Sequence, residues 1–267
     1  MNAMLPTSAD LREECLALDG FVSGLAPEDW RVETAFWGWS AWDEIVHLYM
    51  VDAYAYASIA DAPAFETLAN RHRADSAAGL ELSVRLRRDF GHMDKDELLS
   101  LWRGKYQRLC DLIDAESPRR RVSWFGPDMT VATMAKARQM EVWAHGQDIY
   151  DAFGVRRTNA DRIRNICDLG VRTFGWSFLN RNLTAPGPAP AVELIAPSGA
   201  HWRWNADQPG RISGSAEAFA LVVTQRRNIA DTDLVVEGEA SVHWMQIAQC
   251  FAGPPADPPS PGERAAP

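Results

Sequence analysis

The chain has 267 residues, 46% of them hydrophobic and 24% charged, with a formal net charge of −9 and a pI near 5.2. That length buries a substantial core in one large domain or two smaller ones, and the acidic balance argues against a nucleic-acid binder, which normally carries a basic face. No apolar run is long enough to span a bilayer, and acidic residues arrive before a signal-peptide core can form, so a cytoplasmic protein without a membrane or nucleic-acid partner is expected.

Taken in order, the first two-thirds of the chain reads as helical. A first helix is expected from about Ser8 to Ser23, with Thr7 or Ser8 placed to cap it. After the loop "APEDWRVETAFWGW", Ser40 caps a second helix, with Asp43 three residues on as a capping-box variant. That helix, "SAWDEIVHLYMVDAYAYASIAD", is apolar on nearly every side and should be largely buried. An amphipathic, Arg-rich segment follows from about Phe65 to Phe90, and Asp94 with Glu97 opens another helix that runs to about Asp111. Thr130 caps a helix that Gly154 stops, and a last one is expected from about Asn159 to Leu179.

Composition then changes. "AVELIAPSGAHWRWNA" reads as two short strands around a Pro-Ser-Gly turn, "GSAEAFALVVTQRR" as a helix, "DLVVEGEA" as containing a strand, and "SVHWMQIAQCF" as a helix. The junction "NLTAPGPAPA" has linker composition, and the tail "AGPPADPPSPGERAAP" is expected to be disordered. The expected fold class is therefore α+β: a helical bundle over 1–183, a small α+β domain over 190–253, and a Pro-rich tail over 254–267.

The chemistry-bearing pattern lies in "MEVWAHGQDIYDAFG", residues 140–154. Glu141, His145 and Asp148 are four and three residues apart, which brings them onto one helical face. A helical projection from Val131 places them within the arc that holds Val142 and Ile149, opposite Lys136 and Gln139. A buried carboxylate must be paired or coordinated. His47, in the apolar second helix, is a candidate partner, because two helices of a bundle can converge such groups on one ion. Two imidazoles and one carboxylate leave a fourth position open, the pattern of a catalytic zinc site. Asp43, one turn before His47, and Asp148, three residues after His145, are candidates to accept a spare ring N–H of a ligand. The other histidines, His72, His92, His201 and His243, have no ligand-like partners at suitable spacing and read as structural. Cys15, Cys110, Cys167 and Cys250 form no CxxC and read as reduced, buried small hydrophobes. Most of the eleven tryptophans, including the Trp37, Trp39 and Trp42 cluster, read as core packing.

"DWRVETAFWGWSAWDEIVHLYMVDAYA" together with "MEVWAHGQDI" resembles the DinB-like metal-binding superfamily, and within it the mycothiol-dependent maleylpyruvate isomerase group. The resemblance implies an N-terminal up-and-down four-helix bundle and a small C-terminal α+β domain. The family's first metal histidine precedes a Leu, as in His47-Leu48, and its Glu-x-x-x-His pair matches Glu141 and His145. It further implies a divalent metal, zinc by the ligand set, with mycothiol as thiol cosubstrate and a small electrophilic molecule as substrate, for isomerase or S-transferase chemistry. A family arginine after the C-terminal helix finds its nearest match in Arg226 or Arg227, which would hold substrate or thiol. This chain departs there, reading "LVVTQRRNIAD" where the family has a Leu/Trp-rich helix leading to a single Gly-Arg, so the substrate need not be maleylpyruvate. Two other readings stay open: a non-haem iron site built from the same ligand types, and a non-enzymatic metal- or small-ligand-binding bundle. Phosphate-binding loops, a nucleophile elbow and a dinucleotide fingerprint are absent from the sequence.

Overall fold

The computed structural model describes residues 7–264, and the chain divides into two units between Phe153 and Gly154. In the first unit four helices form the bundle: α1 (Ala9–Ser23), α2 (Ala41–Ala60), α5 (Lys95–Ala115) and α6 (Val131–Ala152). Helices α1 and α2 each pack against both α5 and α6. Leu11, Leu18, Ile45, Leu48, Leu109 and Val142 are among the fully enclosed residues of the shared core. The expected caps are formed: Ser40 with Asp43, and Asp94 with Glu97, close capping boxes, and Thr130 accepts from the Thr133 amide. Ser8 is used differently. Its amide and hydroxyl both donate to Asp114, at 2.9 and 2.7 Å, tying the start of α1 to the end of α5.

The Arg-rich segment is two helices, α3 (Ala62–Ala77) and α4 (Leu82–Phe90). The chain turns between them at Gly79, whose φ of 72° is open to glycine at no steric cost. A short antiparallel pair, β1 (Arg121–Val122) and β2 (Met129–Thr130), joins α5 to α6.

The second unit begins earlier than the expected boundary at 183. The helix expected over 159–179 is a 3-10 turn (Asp161–Ile163) followed by α7 (Arg164–Arg172) and α8 (Phe174–Leu179), both packed on later elements. A β-carbon on Gly170 would lie 2.9 Å from a methyl of Val223, so α7 comes as close to α9 (Ala216–Val223) as a glycine allows. Phe174 meets Trp244 edge-on at 5.2 Å. Those contacts, made with residues well beyond 183, assign α7 and α8 to this unit.

Its sheet has the order β4 (His201–Trp204), β3 (Ala191–Ile195), β5 (Arg211–Ser215), β6 (Val235–Glu237). Strands β3 and β4 form the expected antiparallel pair, with Leu194 opposite Trp202. The central β5 was not expected. It runs parallel to β3 and buries fully only Ile212, so "RISGS" carries little strand alternation of its own. Helix α10 (Glu239–Ile247) completes the unit.

The Pro-rich tail forms no helix or strand among its described residues, yet it is held in place. Gln225 donates to the Ala256 carbonyl at 2.7 Å, Asn228 to that of Pro259 at 2.9 Å, and the Gly262 amide to Asp231. Side-chain amides thus supply the bonds that a proline-rich backbone cannot make with itself. The last three residues of the tail, and the first six of the chain, lie outside the described residues.

Asp19 on α1 binds the bundle at a single carboxylate. Arg103 grips it at 2.8 and 2.6 Å, the Tyr106 hydroxyl donates at 2.8 Å and that of Ser23 at 3.0 Å. Burial pushes this carboxyl up, but those hydrogen bonds outweigh it and hold the group below its usual range. A depressed folded-state value contributes stability that is complete above the unfolded value, roughly 3.9, and is lost as pH falls through the folded one. Asp19→Asn should therefore cost about 1–3 kcal/mol at neutral pH. Urea unfolding should show that gap narrowing below about pH 4; an equal gap at both pH values would contradict the assignment.

Candidate metal centre

The sequence "TAFWGWS" makes a tight turn before α2. Trp37 and Gly38 both hold left-handed φ, 53° and 68°, as the central residues of a type I′ turn do. The Trp39 amide closes it on the Phe36 carbonyl at 3.0 Å. Trp37 is 71% exposed and bears the strain of a left-handed non-glycine residue. The turn delivers Trp39, which lies stacked over His145 at 6.0 Å and edge-on to His47 at 5.4 Å. Phe36 meets the His145 ring edge-on at 5.2 Å. The tryptophans read as core packing thus divide: Trp39 is buried against the two histidines, and Trp37 is on the surface.

Beneath that aromatic cover, α2 and α6 bring together the three residues expected to share an ion. The Nε2 atoms of His47 and His145 each lie 3.4 Å from the same oxygen, Glu141 Oε2. The two rings are 4.5 Å apart, and one ligand atom from each residue falls within 4.8 Å of the other two. Glu141 retains partial solvent contact while both imidazoles are largely enclosed. Burial and the neighbouring His145 push His47 down, favouring its neutral, coordinating form. Desolvation raises the Glu141 carboxyl, but its contacts with His145 and His47 and the nearby Arg138 charge prevail and hold it well below its usual range.

The support behind His145 comes from a residue that the sequence did not single out. Glu44, with no exposed surface, meets His145 Nδ1 at 2.6 Å through one oxygen and accepts from the Thr34 hydroxyl at 3.0 Å through the other. Of the two carboxylates expected in this role, Asp43 instead serves its helix cap and a bidentate pair with Arg87, at 2.9 and 2.7 Å. Asp148 is buried in a cluster with Glu44 and His145. The signal for Glu44 was present but weak: an acidic residue in a helix otherwise apolar on nearly every side.

Glu44 also fixes the chemistry of the cluster. With Nδ1–H of His145 donated to a carboxylate, the Nε2 lone pair faces Glu141, itself an acceptor. Two acceptors 3.4 Å apart call for a cation between them. Nitrogen and oxygen ligands of a tetrahedral zinc, at roughly 2.0–2.2 Å from the ion, are separated by about 3.4 Å. The donor set and its spacing therefore fit a divalent metal. Support is unequal, because His47 Nδ1 is buried with no hydrogen-bond partner among the described residues.

Residues 11–150 match the mycothiol maleylpyruvate isomerase N-terminal domain family, a span that includes all three residues of the cluster. The chain belongs to this family. Two uncharacterized proteins of Mycobacterium tuberculosis, from strains CDC 1551 and H37Rv, are each 40% identical over 251 residues, covering 94% of this chain and 96% of theirs. The crystal structure of a mycothiol-dependent maleylpyruvate isomerase shares the fold, with a TM-score of 0.53 at 15% identity over 89% of this chain and 96% of that one. A histidine-to-alanine mutant of such an isomerase gives 0.50 at 17% identity, over 82% and 88%.

Arg226 and Arg227 follow α9 in the second unit. Both are 3% exposed, so they are not solvated helix-end arginines, and each donates to a nearby backbone carbonyl, of Thr224 and Arg226 respectively.

The unequal support of the two histidines makes a prediction. Glu44→Ala should weaken divalent-ion affinity roughly ten- to a hundredfold, as loss of a ligand's hydrogen-bond partner does. Asp43→Asn should lower thermal stability and leave affinity unchanged. Competition against a chromogenic chelator reads both; equal affinity in wild type and Glu44→Ala would remove Glu44 from the centre.

Proposed function

We propose that this protein is a divalent-metal-dependent enzyme that uses a low-molecular-weight thiol to isomerise or conjugate a small electrophilic substrate, with zinc as the metal and mycothiol as the thiol. The observation that carries the reading is the convergence of His47, Glu141 and His145 on one point, with Glu44 holding the proton of His145 Nδ1. Membership of the mycothiol maleylpyruvate isomerase family supports a thiol-dependent isomerase.

His47, Glu141 and His145 would hold the metal. A divalent cation with an open coordination position lowers the pKa of a coordinated thiol, so that a thiolate nucleophile is available at neutral pH. Glu44 keeps the His145 ring in one tautomer and orientation. Trp39 and Phe36 exclude water from one side of the imidazoles, which strengthens every charge interaction within. Arg138, one turn before Glu141, is buried with its charge directed to Asp52 at 2.9 Å and raises the local positive potential.

The thiol must come from outside. All four cysteines are free and buried, and burial pushes Cys15 and Cys167 well up and Cys110 to about 12, so these are poor thiolates. In isomerisation, sulfur adds to one carbon of a cis double bond, the resulting single bond rotates, and the same sulfur leaves. The thiol is regenerated and no oxidant or reductant is consumed. In conjugation by addition the sulfur remains on the product, and the proton given up by the thiol ends on the neighbouring carbon.

Metal analysis of the purified protein should find about one equivalent of divalent ion, expected from a three-ligand site. Chelation should lower the melting temperature, because an ion bound only by the folded state stabilises it. A His47→Ala/His145→Ala double variant should lose both the ion and the chelator effect; equal metal content in that variant and wild type would sink the reading. With the metal in place, rate acceleration should require added thiol. If Arg226 or Arg227 holds substrate or thiol, its replacement by Met should lower turnover without changing metal content.

A further inference from the structure

A cavity of about 190 Å³ opens between α2, α3 and α4. Its lining is mixed: Tyr49, Met50, Tyr54 and Phe90 supply apolar and aromatic surface, Asp75 and Asp89 reach it together with Arg71 and His72, and Arg85 enters from α4. Arg85 is 6% exposed and its charge is poorly answered. The nearest carboxylate, Asp75, is 3.8 Å away and also lies 3.5 Å from Arg88. Asp89 is taken by Arg71 at 2.8 Å and by Arg88 at 2.7 Å. Three guanidiniums, of Arg71, Arg85 and Arg88, therefore share two carboxylates, and the buried one has the longest ion pair.

The hydrogen bonds of Arg85 are equally incomplete. Its Nη1 reaches His72 Nδ1 at 3.3 Å and the His72 carbonyl at 3.4 Å, while its Nε–H is buried without a partner. Burial and Arg85 both push His72 down, so this imidazole stays neutral and offers Arg85 a lone pair but no counter-charge. The Tyr54 hydroxyl makes no hydrogen bond among the described residues, and its ring meets His72 edge-on at 6.1 Å. A buried cation with an unsatisfied donor costs several kcal/mol unless an anion completes it. A carboxylate does so bidentately, accepting from Nε and a terminal nitrogen together.

We infer that this cavity is a binding site for the carboxylate of a small planar organic acid, held by Arg85 and sandwiched by the rings of Tyr49, Tyr54 and Phe90. The cavity is small beside the roughly 300–1,000 Å³ of drug-sized sites, which limits the ligand to a compact acid. The charge selects an anion, and the aromatic walls select a flat, unsaturated or aromatic body. Met50 and Tyr54 continue along α2 from His47, one and two turns on, so a ligand here lies on the helix face that carries the metal ligand. A role as substrate anchor rests on the proposed function; carboxylate binding itself does not.

Benzoate, titrated into the full-length metal-free protein and followed by calorimetry and ligand-observed NMR, is the test. Binding is expected in wild type, at least tenfold weaker in Arg85→Met, and absent for benzyl alcohol, which keeps the ring and lacks the charge. Ala53→Phe fills the cavity without removing the guanidinium and should abolish binding too, which keeps the test decisive if Arg85→Met fails to fold. His47→Ala should bind benzoate as wild type does. No binding to wild type, equal binding to wild type and either cavity variant, or loss only in His47→Ala would overturn the inference. Because no metal is present, failure here leaves the metal-and-thiol reading standing, and success does not depend on it.

Discussion

A carboxylate enclosed between helices must meet a proton donor or a cation, and three carboxylates place that demand on the seam between α2 and α6. Asp52, fully buried, is answered by Arg138 and by the Trp102 indole. Glu44 is answered by His145 and Thr34. Glu141 faces two imidazoles at once, and a cation held among the three would answer it. Removing one partner from such a group costs about 3–5 kcal/mol, whereas replacing both with apolar groups is often neutral. The seam is therefore a poor source of net stability but a strict specification of which residues face each other. Each pair holds only if α2 and α6 keep their register, and that register is what aligns His47 with His145.

The remainder of the first unit serves that alignment. Capping boxes fix where α2 and α5 begin, and the Arg103–Asp19–Tyr106 group fixes α1 against α5. The I′ turn at Trp37-Gly38 is strained, and its geometry carries Trp39 onto the imidazoles. Strain of about 1–3 kcal/mol at a non-glycine residue persists where surrounding contacts over-determine it, as the Phe36 and Trp39 packing does here. Three enclosed groups with different duties result: an ion-pair layer at Asp52, a proposed metal layer at Glu141, and an under-neutralised guanidinium at Arg85. No helix among the described residues is long and apolar enough to cross a membrane.

The second unit is organised by close approach more than by pattern. Gly170 lets α7 settle against α9, and Phe174, Phe219 and Trp244 interlock beside it. Arg164 lies over Trp202 and Trp204 of β4, covering their faces with its guanidinium. The Pro-rich tail is fixed by Gln225, Asn228 and Gln249, whose side chains serve as the pairing edge that its backbone lacks.

The helical bundle, the caps at Ser40, Asp94 and Thr130, and the shared face of Glu141 and His145 are legible from the chain alone. Capping and i, i+4 geometry act over a single helical turn, so Ser40–Asp43, Asp94–Glu97 and Glu141–His145 are legible without knowing what packs against them. The parallel strand β5 and the place of α7 in the second unit were decided by tertiary contacts, because a short strand such as Arg211–Ser215 gains its identity from neighbours distant in sequence. The same holds for the partners of the histidines and for Arg85. Asp43 and Glu44 are adjacent and acidic on one helix, and although the cap marks Asp43 locally, nothing local says which of the two meets a histidine. A rotation of about 100° per residue sends one carboxylate to Arg87 at the rim and the other to His145 inside, and only the packing of α2 on α6 reveals which is which.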